Sequence, residues 1–321
     1  MSDFETVAAS ELHTATRGPA GEPDAPGQPH TMESKPRSAT ADAWRELRRK
    51  PLFWAATLVA LVAVVMAAFP SLFTSADPES CALSRRLAGP SAVAIFGYDV
   101  QGCDVFAQAV YGTKNSLLIG VFAALLAGLI ALLFGVTAGY FGRWWDAIVS
   151  RVIDIVLGLP LLLAGIVFMQ RVTNAGGGPT IRIIALIFIL GLLGWTTAAR
   201  VMRSSVITAK QQDYVQAARM LGASPGRIMA RHILPNAIAP FIVIITMALG
   251  SFIAAEATLS FLGVGLVPPS QSWGVEISEA RLYMREDFVP LAVPATFLAL
   301  TVLAFIILGD TIREAFDPKL R

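Results

Sequence analysis

Charge is what this 321-residue chain has least of: 15% of its residues are charged, against 55% that are hydrophobic. A soluble domain carries roughly 25% charged residues, so an ordinary soluble fold is excluded. Histidine and cysteine are scarce too, at three and two residues. His13, His30 and His232 form no H-E-x-x-H pair, which removes the zinc-protease pattern; His232 reads as a local hydrogen-bonding residue. A phosphate-cradling loop needs Gly-Lys followed by Ser or Thr. Here Lys35, Lys50, Lys114, Lys210 and Lys319 precede Pro, Pro, Asn, Gln and Leu. The Gly-rich stretch Asn174 to Thr180 contains no Lys and reads as a loop. The sequence therefore offers no catalytic constellation, metal site or nucleotide site, and the chain is not expected to be an enzyme. The net charge of only +2 says little about partners; no nucleic-acid partner is expected.

What fills the space left by charge is long apolar runs. A bilayer core about 30 Å thick needs about 20 apolar residues in helical form. Lipid admits only helices or closed barrels, and the period-two alternation of a barrel strand is missing. The expected fold class is all-α: a polytopic membrane protein with six transmembrane helices. The spans fall at about 53–69, 116–140, 147–169, 181–202, 237–255 and 289–308. Residues 1–40 are polar and rich in Pro, Ser, Thr and Gly, the composition of a disordered tail; 41–321 form the membrane domain. That tail is too long and too acidic for a secretory signal, so the first span is expected to be retained.

Basic residues in short loops set orientation. Arg45, Arg48, Arg49 and Lys50 precede the first span, Arg143 follows the second, and Arg203, Lys210, Arg219, Arg227 and Arg231 follow the fourth. Arg313, Lys319 and Arg321 follow the sixth. The opposite loops hold fewer, and Arg281 and Arg285 there are balanced by Glu276, Glu279, Glu286 and Asp287. Both termini are expected in the cytoplasm, with an outer loop over 70–115. Trp44, Phe53, Trp54, Trp144 and Trp145 flank spans as interfacial anchors.

The most informative stretch lies in the cytoplasmic loop 204–235, between spans four and five. Asp213 is a suitable N-cap for a short helix starting at Tyr214. Tyr214, Ala217, Ala218 and Leu221 recur at i, i+3, i+4 and i+7 and share one helical face. Gly222 stands where a left-handed C-terminal cap is wanted. Ser224 and Pro225 restart a helix, as cap and first turn, and Pro235 opens span five. A surface helix with a small apolar face suits docking into a groove on another protein. An interfacial helix on lipid is the alternative, but two alanines supply it little apolar area.

Ala217-Ala218, Gly222 and Leu234-Pro235 resemble the E-A-A…G…L-P signature of ABC importer permeases, with Gln216 standing where that family has Glu. Gly97 to Gly120 is similar to the G-T-D-x-x-G-R-D and Y-G-x-x-x-S-L segment of the dipeptide and oligopeptide subgroup; Tyr98 and Cys103 replace its Thr and Arg. Leu259 to Gly274 and Gly309 to Arg321 resemble that subgroup's outer loop after span five and its carboxyl terminus. The resemblance covers about Ala43 to the end and fits the second, "C" subunit type best. It implies a type I ABC importer permease fold and a bacterial inner-membrane location. It also implies a second homologous permease, one or two cytoplasmic ABC ATPases that bind ATP and Mg, and an extracytoplasmic substrate-binding protein. The implied cargo is a di- or oligopeptide, with nickel or another small solute as the alternative. Tyr214, Ala217, Ala218, Leu221 and Gly222 would then form the ATPase-coupling helix.

Other features stay open on residues alone. Cys81 and Cys103 both fall in the first outer loop, where a disulfide and two separate thiols are equally compatible with the spacing. Asp154 lies in span three with Arg151 one turn earlier, a candidate structural ion pair; intramembrane ionisable groups are functional candidates by default. Glu256 and Asp310 sit at span ends and read as ordinary solvated end charges. An ion-driven carrier would want broken helices and paired midplane charges. An intramembrane enzyme would want paired carboxylates or Ser-His in facing spans. A scaffold without a pathway is a third rival.

Overall fold

The structure, a computed structural model, describes residues Trp44–Phe316. The expected tail 1–40 and the basic residues Lys319 and Arg321 lie outside the described residues. Every named element is helical: α1 Pro51–Ala68, α2 Val105–Phe141, α3 Arg143–Leu157, α4 Leu161–Asn174, α5 Pro179–Lys210, α6 Asp213–Met220, α7 Pro225–Phe261, α8 Trp273–Ala280 and α9 Val289–Phe316. Five helices are long and apolar enough to cross a membrane, and six spans result if the bent pair α3–α4 counts as one.

Several helices overrun the expected spans. α2 begins eleven positions before the expected Ser116, because Asp104 caps it by accepting the Ala107 N–H at 2.9 Å. The connection expected over 70–115 is therefore shorter. α5 continues to Lys210, and α7 starts at Pro225 and runs unbroken through Pro235 and Pro240. A wide turn over Met229–Ile233 precedes Pro235, so the missing proline N–H is absorbed where helical bonding is already relaxed. The single third span expected at 147–169 is corrected: α3 and α4 meet at an 80° bend. Gly158-Leu159-Pro160 explains it, since proline lacks an N–H and steers its predecessor away from helical geometry.

α2 and α5 make the most extensive helix pair, through small residues that let backbones approach. A Cβ on Gly135 would lie 2.9 Å from the Ala199 carbonyl oxygen, and one on Gly139 would lie 2.9 Å from that of Arg203. With no hydrophobic drive in lipid, such close van der Waals contact is what holds helices together. Around this pair, Ile119, Leu186, Met202 and Phe252 form the main core.

The Lys50–Glu314 ion pair, 2.7 Å, joins the start of α1 to the end of α9. Those ends, the α2–α3 junction and α6 lie at one end of the bundle, the α6 end. The connections 69–104 and 262–288 lie at the other, the disulfide end.

Candidate functional site

α6 is an eight-residue helix held at both ends by backbone chemistry. Its N-cap is Gln212, and Asp213 is the first helical residue rather than the cap expected for it. The carboxylate still favours the positive helix start. At the other end Gly222, at φ +78°, donates to the Arg219 carbonyl at 3.0 Å, and Ala223 donates to that of Ala218 at 3.1 Å. This double bond pattern is the Schellman cap, and the left-handed residue in it is glycine for lack of a Cβ. Ser224 holds the N-cap position of α7, although its hydroxyl makes no capping bond.

The expected single face divides in two. Val215 is fully buried and Ala218 nearly so, and Val215 joins the core cluster of Ile228, Ile233 and Ala237 on α7. Tyr214 is 42% exposed, Leu221 is 88% exposed and Ala217 is exposed. Ala218 therefore faces inward with Val215, and of the expected face only Tyr214, Ala217 and Leu221 point outward. Met220 joins them and was missed, as was the anchor Val215. The reason is geometric. A two-turn helix with apolar residues at 214, 215, 217, 218, 220 and 221 fits two stripes, and periodicity alone does not choose. The Gln216 side-chain amide bonds back to the Lys210 carbonyl at 3.3 Å, so it closes the α5–α6 turn instead of presenting a charge.

Ion pairs brace the helices behind α6. Arg203 of α5 grips Asp146 of α3 with two hydrogen bonds, the Nη2–Oδ2 one at 2.6 Å. Asp154 pairs with Arg200 of α5 at 2.6 Å, not with Arg151 as its spacing suggested. α3 buries Val149 and Ile153, which turns the neighbouring Asp154 toward α5 and leaves Arg151 exposed. The Lys210 ammonium donates to the Tyr140 carbonyl and ties the ends of α5 and α2 together.

At the opposite end Cys81 and Cys103 are joined by a disulfide, with Cα atoms 4.2 Å apart. Asp99 Oδ1 accepts from the N–H groups of Gln101 and Cys103, each at 2.8 Å. α8 folds back on α2: Trp273 Nε1 donates to the Ala109 carbonyl at 3.0 Å and its backbone N–H to Ser116 Oγ at 3.3 Å. Glu256, expected to be solvated, is fully buried. It accepts from Ser260 at 2.8 Å, with the hydroxyls of Ser116 and Ser272 beside it, and Ser260 in turn accepts from the Leu266 N–H. Residues 262–280 cover the end of α7, so a position that reads as a helix terminus lies inside the protein.

Residues 131–321 match the family described as the binding-protein-dependent transport system inner membrane component. Residues 38–90 match the N-terminal transmembrane domain of oligopeptide transport permease C. The chain belongs to the binding-protein-dependent permease family. The dipeptide transport system permease protein DppC of Bacillus subtilis (strain 168) is 38% identical over 285 residues, 88% of this chain and 87% of that one. The glutathione transport system permease protein GsiD of Escherichia coli O157:H7 is 35% identical over 286 residues, 89% of this chain and 92% of that one. In fold, the chain is similar to an inward-facing structure of the MetNI methionine ABC transporter: TM-score 0.53 and 19% identity, over 65% of this chain and 96% of that one. As a family member the chain is a transmembrane ABC-importer permease subunit, and α6 holds Gln216-Ala217-Ala218, the start of the stretch that resembles the E-A-A signature.

Proposed function

We propose that this chain forms half of the translocation pathway of a bacterial inner-membrane importer for di- or oligopeptides. In this reading α6 faces the cytoplasm and couples the pathway to ATP hydrolysis by partner subunits. The observation that carries the coupling role is the outward face of Tyr214, Ala217, Met220 and Leu221 on a helix whose other face is already satisfied by Val215 and Ala218. Exposed apolar residues gathered on one rigid feature mark an interaction surface. α6 connects through the Gly222 cap to α7, which runs without a break from Pro225 to Phe261. A displacement of α6 is thereby passed into a membrane-crossing helix.

Two ATPases closing on ATP and Mg would draw the α6 helices of this chain and a second, homologous permease together. An extracytoplasmic binding protein would deliver the cargo. A ligand shifts a two-state equilibrium only by its differential affinity for the states; ATP binding by the partner subunits supplies the rest through the docked helix. The dipeptide and glutathione carriers among the relatives favour peptide over nickel as cargo. The test is reconstitution of the purified assembly in vesicles. ATP-dependent uptake of a labelled dipeptide is expected. A purified assembly that contains no nucleotide-hydrolysing subunit would refute the coupling role, and uptake of nickel without peptide would refute the cargo.

A further inference from the structure

Carboxylates collect at the disulfide end in a way that coupling through α6 does not use. Loop 78–103, residues 268–271 and α8 border a groove of about 500 Å³ that includes Gln108, Glu276 and Glu279. The same three residues also line a cavity of about 20 Å³, completed by Asp99, Tyr283 and Asp287. Both carboxylate oxygens of Glu276 are buried, and neither has a hydrogen-bond partner among the described residues. The side chain lies against α2, where a Cβ on Gly112 would collide with Glu276 Oε1. The charges that act on it, from Glu279, Asp99 and Glu256, are all acidic.

A buried carboxylate without donors is costly, and the cost is removed by a group that brings both positive charge and N–H bonds. The small cavity has room for one water-sized group, which suits an ammonium and excludes a guanidinium. Among the described residues no three His, Cys, Asp or Glu side chains are grouped to hold a metal ion, so a bare divalent cation finds no cage. A cation carried on a larger molecule has space for its body in the adjoining groove.

We propose that this groove binds the amino-terminal end of a small peptide, with Glu276 and Glu279 receiving its α-ammonium. The inference rests on the peptide-permease reading and adds a substrate subsite to it. An ammonium offers three donors, enough for both carboxylates and the Gln108 amide oxygen. Burial, and then the charges of Glu279, Asp99 and Glu256, push the Glu276 carboxyl well above its ordinary range. The shift favours the protonated carboxyl in the empty site, and an arriving ammonium favours loss of that proton. Peptide affinity rises with pH through that raised value, Tyr283 and Asp287 being the other titratable groups on the cavity.

The test uses the purified complex of this chain with its partner permease and ATPases, without binding protein, so that delivery selectivity does not enter. Glu276 is labelled with a hydrophobic carbodiimide and quantified by peptide mass spectrometry. The probes are alanyl-alanine, its N-acetyl derivative and ethylammonium. Alanyl-alanine is expected to slow labelling about tenfold, the size of one charge-assisted contact, while the acetylated peptide leaves it unchanged. Ethylammonium is expected to protect only at higher concentration. Glu279→Gln should raise the alanyl-alanine concentration needed by about tenfold. Equal protection by the acetylated peptide, protection by ethylammonium alone, or no protection by any probe would overturn the proposal. The three-probe comparison on the unsubstituted complex decides the matter even if the variant does not assemble. Uptake of alanyl-alanine by the same complex with its binding protein, measured in parallel, tests the permease reading separately.

Discussion

At the α6 end an eight-residue helix is pinned by Val215 and Ala218 and leaves Tyr214, Ala217 and Leu221 uncovered. At the disulfide end Trp273, Ser272 and Glu256 are sealed inside, and the covering segment 262–280 is stitched to α2 and α7 by hydrogen bonds. One end has a satisfied apolar interior and an unsatisfied apolar surface. The other has a polar interior whose members need exact partners. A buried polar network is completed by hydrogen-bonding groups, and there both Glu276 oxygens and Glu256 Oε2 have none among the described residues, whereas an exposed apolar face is completed by another molecule. In the reading proposed above, α6 is the attachment surface and the opposite end the recognising one.

The strongest way to break that contrast is to place a charge beneath α6. Val215→Asp should cost about 3 kcal/mol or more, because a carboxylate would enter an apolar cluster without a partner. Thermal melting in detergent, with hydrogen exchange on 213–220, reads the loss; a melting point equal to the parent's would mean α6 is not seated as described. Cys103→Ser removes the closure of a loop whose ends are 22 residues apart, a loss of about 3 kcal/mol on the chain-entropy account. Faster exchange should be confined to residues 77–104, and a matching loss of protection in α6 would blur the two ends into one unit.

Smaller effects sharpen the comparison. The Glu276 carboxyl is raised by burial and by its acidic neighbours, and Glu279 is raised by burial and then by Asp99. A raised carboxyl binds its proton more tightly folded than unfolded, so stability is lost as pH climbs from the ordinary value of 4.5 through the raised one. Glu276→Gln should therefore raise the melting point at pH 8 by about 2–4 °C and leave it unchanged at pH 4. A pH-independent change would contradict the cause given. Gly222→Ala meets no neighbouring atom but must hold a positive φ, at a cost of about 1 kcal/mol. Its signature is faster exchange at the α6 carboxyl end alone. Leu221→Asp should change the chain's own stability by less than about 0.5 kcal/mol and still weaken co-purification of the nucleotide-hydrolysing subunits.

These two ends were unequally legible in the amino-acid order. The α6 end announces itself through Gly222, Pro225 and Pro235, residues whose backbone limits act locally, and through long apolar runs whose length alone implies a bilayer. Which side of α6 faces inward was not legible, since Val215 is buried by joining a core cluster built from other elements. The break at Gly158-Leu159-Pro160 was on the page, yet apolar residues on both sides made one continuous span of it. Asp154 invited pairing within its own helix; only the packing of α3 on α5 offers Arg200 instead. The carboxylates of Glu256 and Glu276 were the least legible. A charge beside an apolar run reads as a solvated terminus unless the fold-back of 262–280 is known.

Leu221→Cys in the membrane-embedded assembly, coupled to a short thiol-reactive photo-crosslinker, tests the central claim most directly, because Cys81 and Cys103 are bonded to each other. A nucleotide-hydrolysing subunit should be captured from position 221 and from Tyr214→Cys, with far less from Val215→Cys. Capture of lipid alone from position 221, or a pattern in which the buried position reacts as well as the exposed ones, would contradict the account.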